Sequence, residues 1–259
     1  MKHTLDDVQQ YWDSHLNLTQ FFPDEEVAVG SDEFWRQLDA SMDRYAYKEA
    51  VLERFASEAG GGELLEIGCG LGLELSRLSK LGFDVTGLDL APNAVAVAHA
   101  NLQRQGLTGR AVVGNAEALE FADETFDAVY SSGVIQHTPS IEAAIAQIWR
   151  VLKPGGRILI ILYHRHSWFN LLQRLSNTNV EFESGDAPII NSYSRGELRS
   201  LFQRFRNLEI ETEYYYPKPT TRGGTLARLY NGVFVPFMGA LPKAVAQPFG
   251  WHLVLTAEK

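Results

Sequence analysis

Two observations predict an α/β fold built on a parallel sheet with helices on both faces. Between Gly62 and Leu162, short β-branched runs alternate with stretches of helical spacing, the pattern of successive strand–helix–strand units. The first unit turns through Gly68, Gly70 and Gly72, and Asp89 follows 21 residues after Gly68 at the end of the second strand. A glycine turn with a carboxylate about that far on is the layout of a nucleoside site at the carboxyl edge of a doubly wound sheet.

The elements follow in order. Glu63–Ile67 is an apolar run that ends in glycines, and Leu73–Leu81 then has helical spacing. Phe83–Leu88 reads as a strand, and Pro92–Gln105 as an alanine-rich helix with proline in its first turn. Arg110–Gly114 and Phe126–Tyr130 are further strands. In Ile141–Leu152 the residues Ile141, Ile145, Ile148 and Leu152 recur at three- and four-residue steps, which predicts a helix. Lys153-Pro154-Gly155-Gly156 is expected to stop it as a turn, and Arg157–Leu162 to form a central strand. Residues 1–60 predict a helical cap with Thr4 and Ser31 as N-caps. Beyond the fifth strand come helices near Trp168–Leu175 and Arg195–Phe205, strands over Asn207–Tyr216 and Trp251–Ala257, and between those strands an insertion rich in proline, glycine and aromatics. This is the organisation of a single domain over 1–259, divided into a cap (1–60), a core (61–165) and substrate-side elements with the final strands (166–259).

Composition narrows the class. The chain has 259 residues, 45% of them hydrophobic and 21% charged, and a net charge of −9, which excludes a disordered chain and disfavours a surface that grips phosphates. The one cysteine, Cys69, cannot form an intrachain disulfide, and the first residues lack the apolar stretch of a leader, so a cytoplasmic protein is expected. No run reaches the length of a membrane span.

The dinucleotide fingerprint requires a glycine where this chain has Leu73, so the alternating Gly68, Gly70 and Gly72 argue against a pyrophosphate cradle. The residues instead closely resemble the class I S-adenosylmethionine-dependent methyltransferase family. Glu66-Ile67-Gly68-Cys69-Gly70-Leu71-Gly72 resembles its first motif, and Asp89 the acid that ends its second strand. Gly114-Asn115-Ala116-Glu117 resembles its adenine-contacting turn. Phe126-Asp127-Ala128-Val129 with Ser131-Ser132-Gly133-Val134 resembles its fourth-strand motif, and Val151-Leu152-Lys153-Pro154-Gly155-Gly156 the turn before its fifth strand. The five lie in order across about residues 60–165.

The resemblance implies a Rossmann-like sheet of seven strands with the last antiparallel, S-adenosylmethionine as cofactor, and roles residue by residue. Glu66 supports the turn, while Gly68, Cys69 and Gly70 face the methionine part. Asp89 binds the ribose diol and Leu90 packs on adenine. Asn115, where the family often has aspartate, addresses the adenine edge together with Ala116. Ser132 and Gly133 close over the sulfonium side. Residues of the cap are added to this set: Tyr11 and Trp12, whose rings would face a sulfonium as part of a lid, and Arg44, which would reach the cofactor carboxylate. The same sequence features also suit a ligand-free tight turn at Gly68 and Gly70, a helix N-cap at Asp89, and a cap helix that merely docks its apolar stripe.

His137 follows the fourth strand at the edge where ligands of open sheets gather. Its imidazole is a candidate general base for an acceptor that arrives protonated; contact with substrate and a purely structural role remain open beside it. His164 and His166 lack a neighbouring carboxylate or cysteine and make a poor metal site, so no metal is expected. Arg165 is a candidate for an acidic substrate, and one of Tyr214, Tyr215 and Tyr216 for the acceptor wall. Residues 224–250 are apolar and broken by Pro236, Pro242 and Pro248. A lid, a dimer contact and a membrane-surface segment all fit them; without a charged face the lid is favoured.

The fourth-strand loop carries neither the Asp/Asn/Ser-Pro-Pro-aromatic sequence of nucleobase-amine enzymes nor acids for magnesium, and no pair of loop glutamates is present. The expectation is therefore methyl transfer to an oxygen, or a nitrogen, of a small metabolite. The alternatives are non-methyl chemistry on the same cofactor (aminocarboxypropyl transfer or cyclisation) and a catalytically silent cofactor-binding scaffold. Oligomeric state is not legible.

Overall fold

The computed structural model describes residues 4–15, 27–40, 47–176, 187–214, 216–217 and 224–259. Seven strands, β1 (Gly62–Ile67), β2 (Phe83–Asp89), β3 (Arg110–Val113), β4 (Phe126–Ser132), β5 (Leu152–Tyr163), β6 (Arg206–Glu213) and β7 (His252–Glu258), form one sheet in the order β3-β2-β1-β4-β5-β7-β6. The pairs β1–β2, β1–β4, β2–β3 and β4–β5 are parallel, while β5–β7 and β6–β7 are antiparallel. The α/β sheet is thus as the sequence predicts, and its antiparallel last strand as the family resemblance implies. Chain order reverses between β1 and β4, and the crevice beyond the carboxyl ends of those strands is where such sheets take ligands.

Strand periodicity divides the core. Leu65, Ile67, Val129, Ile158 and Ile160 point to one face and meet Ile141, Ile145 and Ile148 of α6 (Ile141–Val151). Their neighbours Leu64, Ala128, Leu159 and Ile161 point to the other, since successive side chains alternate across a strand. There they meet three helices. Val51, Leu52 and Phe55 come from α3 (Tyr47–Ala59), Leu75 and Leu78 from α4 (Leu73–Lys80), and Ala98 and Leu102 from α5 (Pro92–Arg104). Burial on both faces explains why the central strands read as unbroken apolar runs.

The cap helices α1 (Leu5–Ser14) and α2 (Asp32–Ala40) begin as expected. Thr4 and Asp7 make a reciprocal capping box, and Ser31 Oγ accepts from the Phe34 amide at 3.1 Å. α1 docks through Gln9, whose Nε2 donates to the Leu90 carbonyl (3.0 Å), and through Asp13, whose Oδ1 accepts from the Asn93 amide (2.9 Å) in the first turn of α5. That carboxylate sits at the positive end of a helix dipole.

One boundary differs from expectation. Lys153–Gly156 is not a separate turn; β5 already begins at Leu152 and passes through these residues with a register shift opposite Phe126 and Ala128. The chain end draws them into the sheet: the Gly155 amide donates to the Lys259 carbonyl (3.1 Å) and the Lys259 amide to the Gly156 carbonyl (3.0 Å). After β5 come α7 (Trp168–Ser176) and α8 (Arg195–Leu201), the latter a turn shorter than its spacing suggests. The insertion before β7 holds α9 (Thr225–Leu229), a π turn at Tyr230–Phe234, α10 (Val235–Ala240) and α11 (Lys243–Ala246).

Candidate active site

At the switch point the chain leaves β1 through a turn that only glycines permit. Gly68 (φ 77°) and Gly72 (φ 77°) are left-handed, and a Cβ at Gly68 would lie 2.1 Å from Val134 Cγ2. Gly70 (φ 49°) has nothing within 4 Å of the same position, so its backbone faces open space. Asp89 fixes the turn: Oδ2 accepts from the Gly70 amide (2.9 Å) and Oδ1 from the Ala91 amide (3.0 Å). Burial raises its pKa, and these amides work in the opposite direction.

A cavity runs along this edge. Glu66, Gly68, Cys69, Gly70, Asp89, Leu90, Asn115, Ala116, Ser132, Gly133 and His137 all line it. Asn115 Oδ1 already accepts from the Glu117 amide (2.9 Å), which shapes the turn after β3. Cys69 is buried, and burial pushes its thiol well up, with the Asp89 and Glu66 carboxylates adding to the effect. It is an inert small residue of the turn.

One end of the cavity is charged. Glu66 is buried, its Oε2 has no hydrogen-bond partner among the described residues, and burial raises its pKa well above the usual carboxyl range. Close by, Lys48 Nζ contacts Glu74 Oε1 at 2.8 Å. Burial would push the Glu74 carboxyl up, but the Lys48 ammonium outweighs it and holds Glu74 below the usual range. Arg77, one helical turn on from Glu74, also lines the cavity.

Another part of the wall is aromatic. His137 lies in a short 3₁₀ turn after β4, and its Nδ1 is 2.6 Å from the Ile189 carbonyl. A carbonyl only accepts, so the neutral ring carries its proton on Nδ1 and keeps a lone pair on Nε2. Burial lowers the His137 pKa to about 4. The ring packs edge-on against Trp12 (5.4 Å between centroids) and Tyr163 (5.7 Å). Tyr163 in turn stacks on His252 (6.1 Å), and His252 Nδ1 is 2.6 Å from Tyr47 Oη. Burial takes the His252 pKa down to about 3, with Lys48 adding to the shift.

Several sequence-based candidates lie elsewhere. Tyr11 is not on the cavity wall: Leu5, Val8, Trp12 and His15 form the stripe of α1 that faces it, and Tyr11 stands beside that stripe, stacked on His15 at 4.5 Å. Arg44 and Tyr215 lie outside the described residues. Arg165 binds Glu197 and the Ser192 carbonyl, Tyr214 packs on Trp168 and Trp251, and Tyr216 Oη donates to the Leu241 carbonyl. None of these lines the cavity, nor does any described residue of 224–250. Trp12, the other aromatic of the expected lid, does line it, and Lys48, Glu74, Arg77, Tyr163 and His252 line it without having been singled out. Tyr163 and His252 had a legible signal: an antiparallel last strand must start at the carboxyl edge where β5 ends, and the two residues are register partners.

Comparison with known proteins adds to this geometry. Residues 65–160 match the family described as "Methyltransferase domain". The chain is 41% identical over 103 residues to the ubiquinone/menaquinone biosynthesis C-methyltransferase UbiE of Nitrobacter hamburgensis, covering 38% of this chain and 41% of that protein. It is 37% identical over 106 residues to a ubiquinone biosynthesis O-methyltransferase of Cereibacter sphaeroides, covering 41% and 43%. The chain therefore spans less than half the length of these curated relatives. A SAM-dependent methyltransferase from Archaeoglobus fulgidus superposes with a TM-score of 0.56 at 17% identity, covering 83% of this chain and 94% of that one; this is likeness of fold.

Proposed function

We propose, from the match of residues 65–160 to the methyltransferase-domain family and the motifs within them, that the chain is a class I S-adenosylmethionine-dependent methyltransferase that works as a single unit and methylates an oxygen, or a nitrogen, of a small metabolite. The observation that carries this reading is that one cavity holds both the Gly68–Gly72 turn with Asp89 and a buried neutral histidine, His137, whose tautomer is set by a backbone carbonyl. A net charge of −9 favours a small acceptor over nucleic acid.

The residues present fit S-adenosylmethionine. Each Asp89 oxygen spends one lone pair on a backbone amide, which leaves acceptor capacity for a ribose diol. Asn115 and Ala116 flank the adenine position and Leu90 gives it an apolar floor. The orphaned Glu66 Oε2 suits an ammonium group, and Arg77 suits a carboxylate better than Lys48, which Glu74 already engages. Ser132 and Gly133 line the same cavity as His137. Trp12, in place of Tyr11, presents an aromatic ring to a cationic centre.

When bound, the cofactor supplies an electrophilic methyl group on a sulfonium. The chain's part is to align the acceptor, keep water away and take a proton where the acceptor carries one. His137 Nε2 is the atom that takes it. A base held at about 4 is neutral at physiological pH but thermodynamically weak, so proton transfer has to accompany methyl transfer rather than precede it. The Nitrobacter relative, a C-methyltransferase by name, favours a second reading: ionising an enol or phenol activates the adjacent ring carbon as well as the oxygen, and the same histidine would serve.

Calorimetric titration with S-adenosylmethionine, S-adenosylhomocysteine and NAD tests the cofactor assignment, with the two adenosyl sulfur compounds expected to bind and NAD to stay silent. Asp89→Ala should weaken cofactor binding by about 10- to 100-fold, the worth of hydrogen bonds to a charged group. Unchanged affinity would remove Asp89 from the ribose site. In a metabolite screen the by-product decides the chemistry: S-adenosylhomocysteine for methyl transfer, methylthioadenosine for transfer of the aminocarboxypropyl arm.

A further inference from the structure

The insertion between β6 and β7 turns an apolar face to solvent. Leu229, Val233 and Phe237, four residues apart along α9, the π turn and α10, are each at least half exposed, as are Val245 and Phe249 just beyond. A neighbouring side of the same segment is anchored: Met238 and Ala246 are buried and Tyr230 and Phe234 partly so, packed with Trp168, Phe169, Trp251 and Tyr163. The exposed residues are therefore held outward by a fixed core contact. Large apolar side chains gathered in this way mark an interaction surface.

Charge selects the partner. Between Glu213 and Glu258 the sequence holds Lys218, Arg222, Arg228 and Lys243 and no acid, in a chain whose net charge is −9. Arg228 and Lys243, on the same segment, are exposed, and Lys243 acts on the partly buried Glu213. A second copy of this chain laid face to face would set basic residues against basic residues. A bilayer with anionic headgroups satisfies both features, taking the apolar side chains into its interface and the cations at its surface.

We propose that residues 225–249 dock the protein on an anionic lipid surface, with Leu229, Val233, Phe237, Val245 and Phe249 entering the interface and Arg228 and Lys243 contacting headgroups. This is peripheral attachment, since no helix among the described residues is long and apolar enough to cross a membrane. Tyr163 belongs both to the cluster beneath the docking face and to the cavity wall. On the methyl-transfer reading, an apolar acceptor carried by lipid would approach the cavity from this side.

Vesicle co-sedimentation of the full chain tests the docking without any turnover. The protein should pellet with vesicles of phosphatidylcholine containing about a third phosphatidylglycerol, much less with phosphatidylcholine alone, and less again in high salt. Phe237→Ser with Phe249→Ser should cut the bound fraction about tenfold by removing apolar area from the interface. Arg228→Glu with Lys243→Glu should abolish the preference for anionic vesicles while circular dichroism and cofactor affinity stay as in the parent. No binding to either vesicle, or equal binding to both, would overturn the proposal. So would concentration-dependent self-association in light scattering that the Phe237→Ser variant loses, which would make the face a contact between copies. Because sedimentation needs no catalysis and cofactor titration needs no lipid, failure of the docking and failure of the methyl-transfer reading are told apart.

Discussion

Glu66 is a carboxyl group held in a state that a bound cation would reverse. Burial raises its pKa well above the carboxylate range, and Oε2 finds no partner among the described residues. Without ligand the group retains a proton into a range where an exposed glutamate has lost it. A ligand ammonium beside it favours the charged form, so cofactor binding at a pH just above the usual carboxylate range is expected to release up to about one proton. Calorimetry in buffers of differing ionisation enthalpy reads this directly, and Glu66→Gln should remove the buffer dependence. Heats that do not change with buffer would mean that Glu66 stays in one protonation state. His137 makes a different claim. His137→Ala should lower turnover on a hydroxyl acceptor by about 10²- to 10⁴-fold, the usual worth of a positioned base, and leave cofactor affinity near parental. Activity should recover at alkaline pH as the acceptor ionises by itself; a parental rate across the pH range would reduce His137 to part of the wall.

Among the elements, the strand–turn–helix unit at Gly68–Gly72 does two separable jobs. At Gly68 a Cβ meets the Val134 side chain at 2.1 to 2.7 Å and the backbone is left-handed. Gly68→Ala should therefore cost about 2 to 4 kcal/mol of stability, from backbone strain plus overpacking. At Gly70 the Cβ has open space but enters the cavity. Gly70→Ala should lose only about 1 kcal/mol of stability and lose more in cofactor affinity. Thermal melts beside calorimetry test this crossover, and equal effects of the two variants on both readouts would contradict it. The unit was legible because local rules fix all of it: apolar run, glycines, helical spacing, and a carboxylate one strand over. Other parts obey longer-range causes. Lys153–Gly156 reads locally as a turn, and only the pairing with Lys259 makes it strand. Tyr11 and Trp12 are adjacent in sequence, and the docking of α1 through Gln9 and Asp13 decides which of them meets the cavity. Lys48, Glu74 and Arg77 carry no motif at all; helix packing against the sheet brings them to the charged end.

Across the whole molecule, the site makes stability depend on pH in two opposing windows. His137 and His252 are buried and neutral, with pKa values taken down to about 4 and about 3. Each binds a proton more readily in the unfolded chain, so their contribution is fully present above the unfolded pKa and is lost as pH falls from there toward the folded values. Between about pH 6.5 and about pH 5, each should cost roughly 1.5 kcal/mol, set by the unfolded histidine titrating while the folded one does not. Glu66 and Asp89 act with the opposite sign: their raised folded pKa favours the native state at low pH, and that contribution is lost as pH rises through the folded values. Between the unfolded carboxyl range and their raised folded values these two groups oppose the histidines, so the net fall from about pH 6.5 to about pH 5 in urea unfolding should be smaller than the histidine contribution alone. His252→Phe should take roughly 1.5 kcal/mol out of that fall while costing the Tyr47 contact, and a slope unchanged from the parent would mean that His252 titrates alike in both states. The same dependence bears on function: if the His137 proton acceptor and the fold share one acid limit, loss of activity below about pH 5 should track loss of native structure. Activity that falls at a pH where the melts remain parental would instead report protonation within the intact cavity.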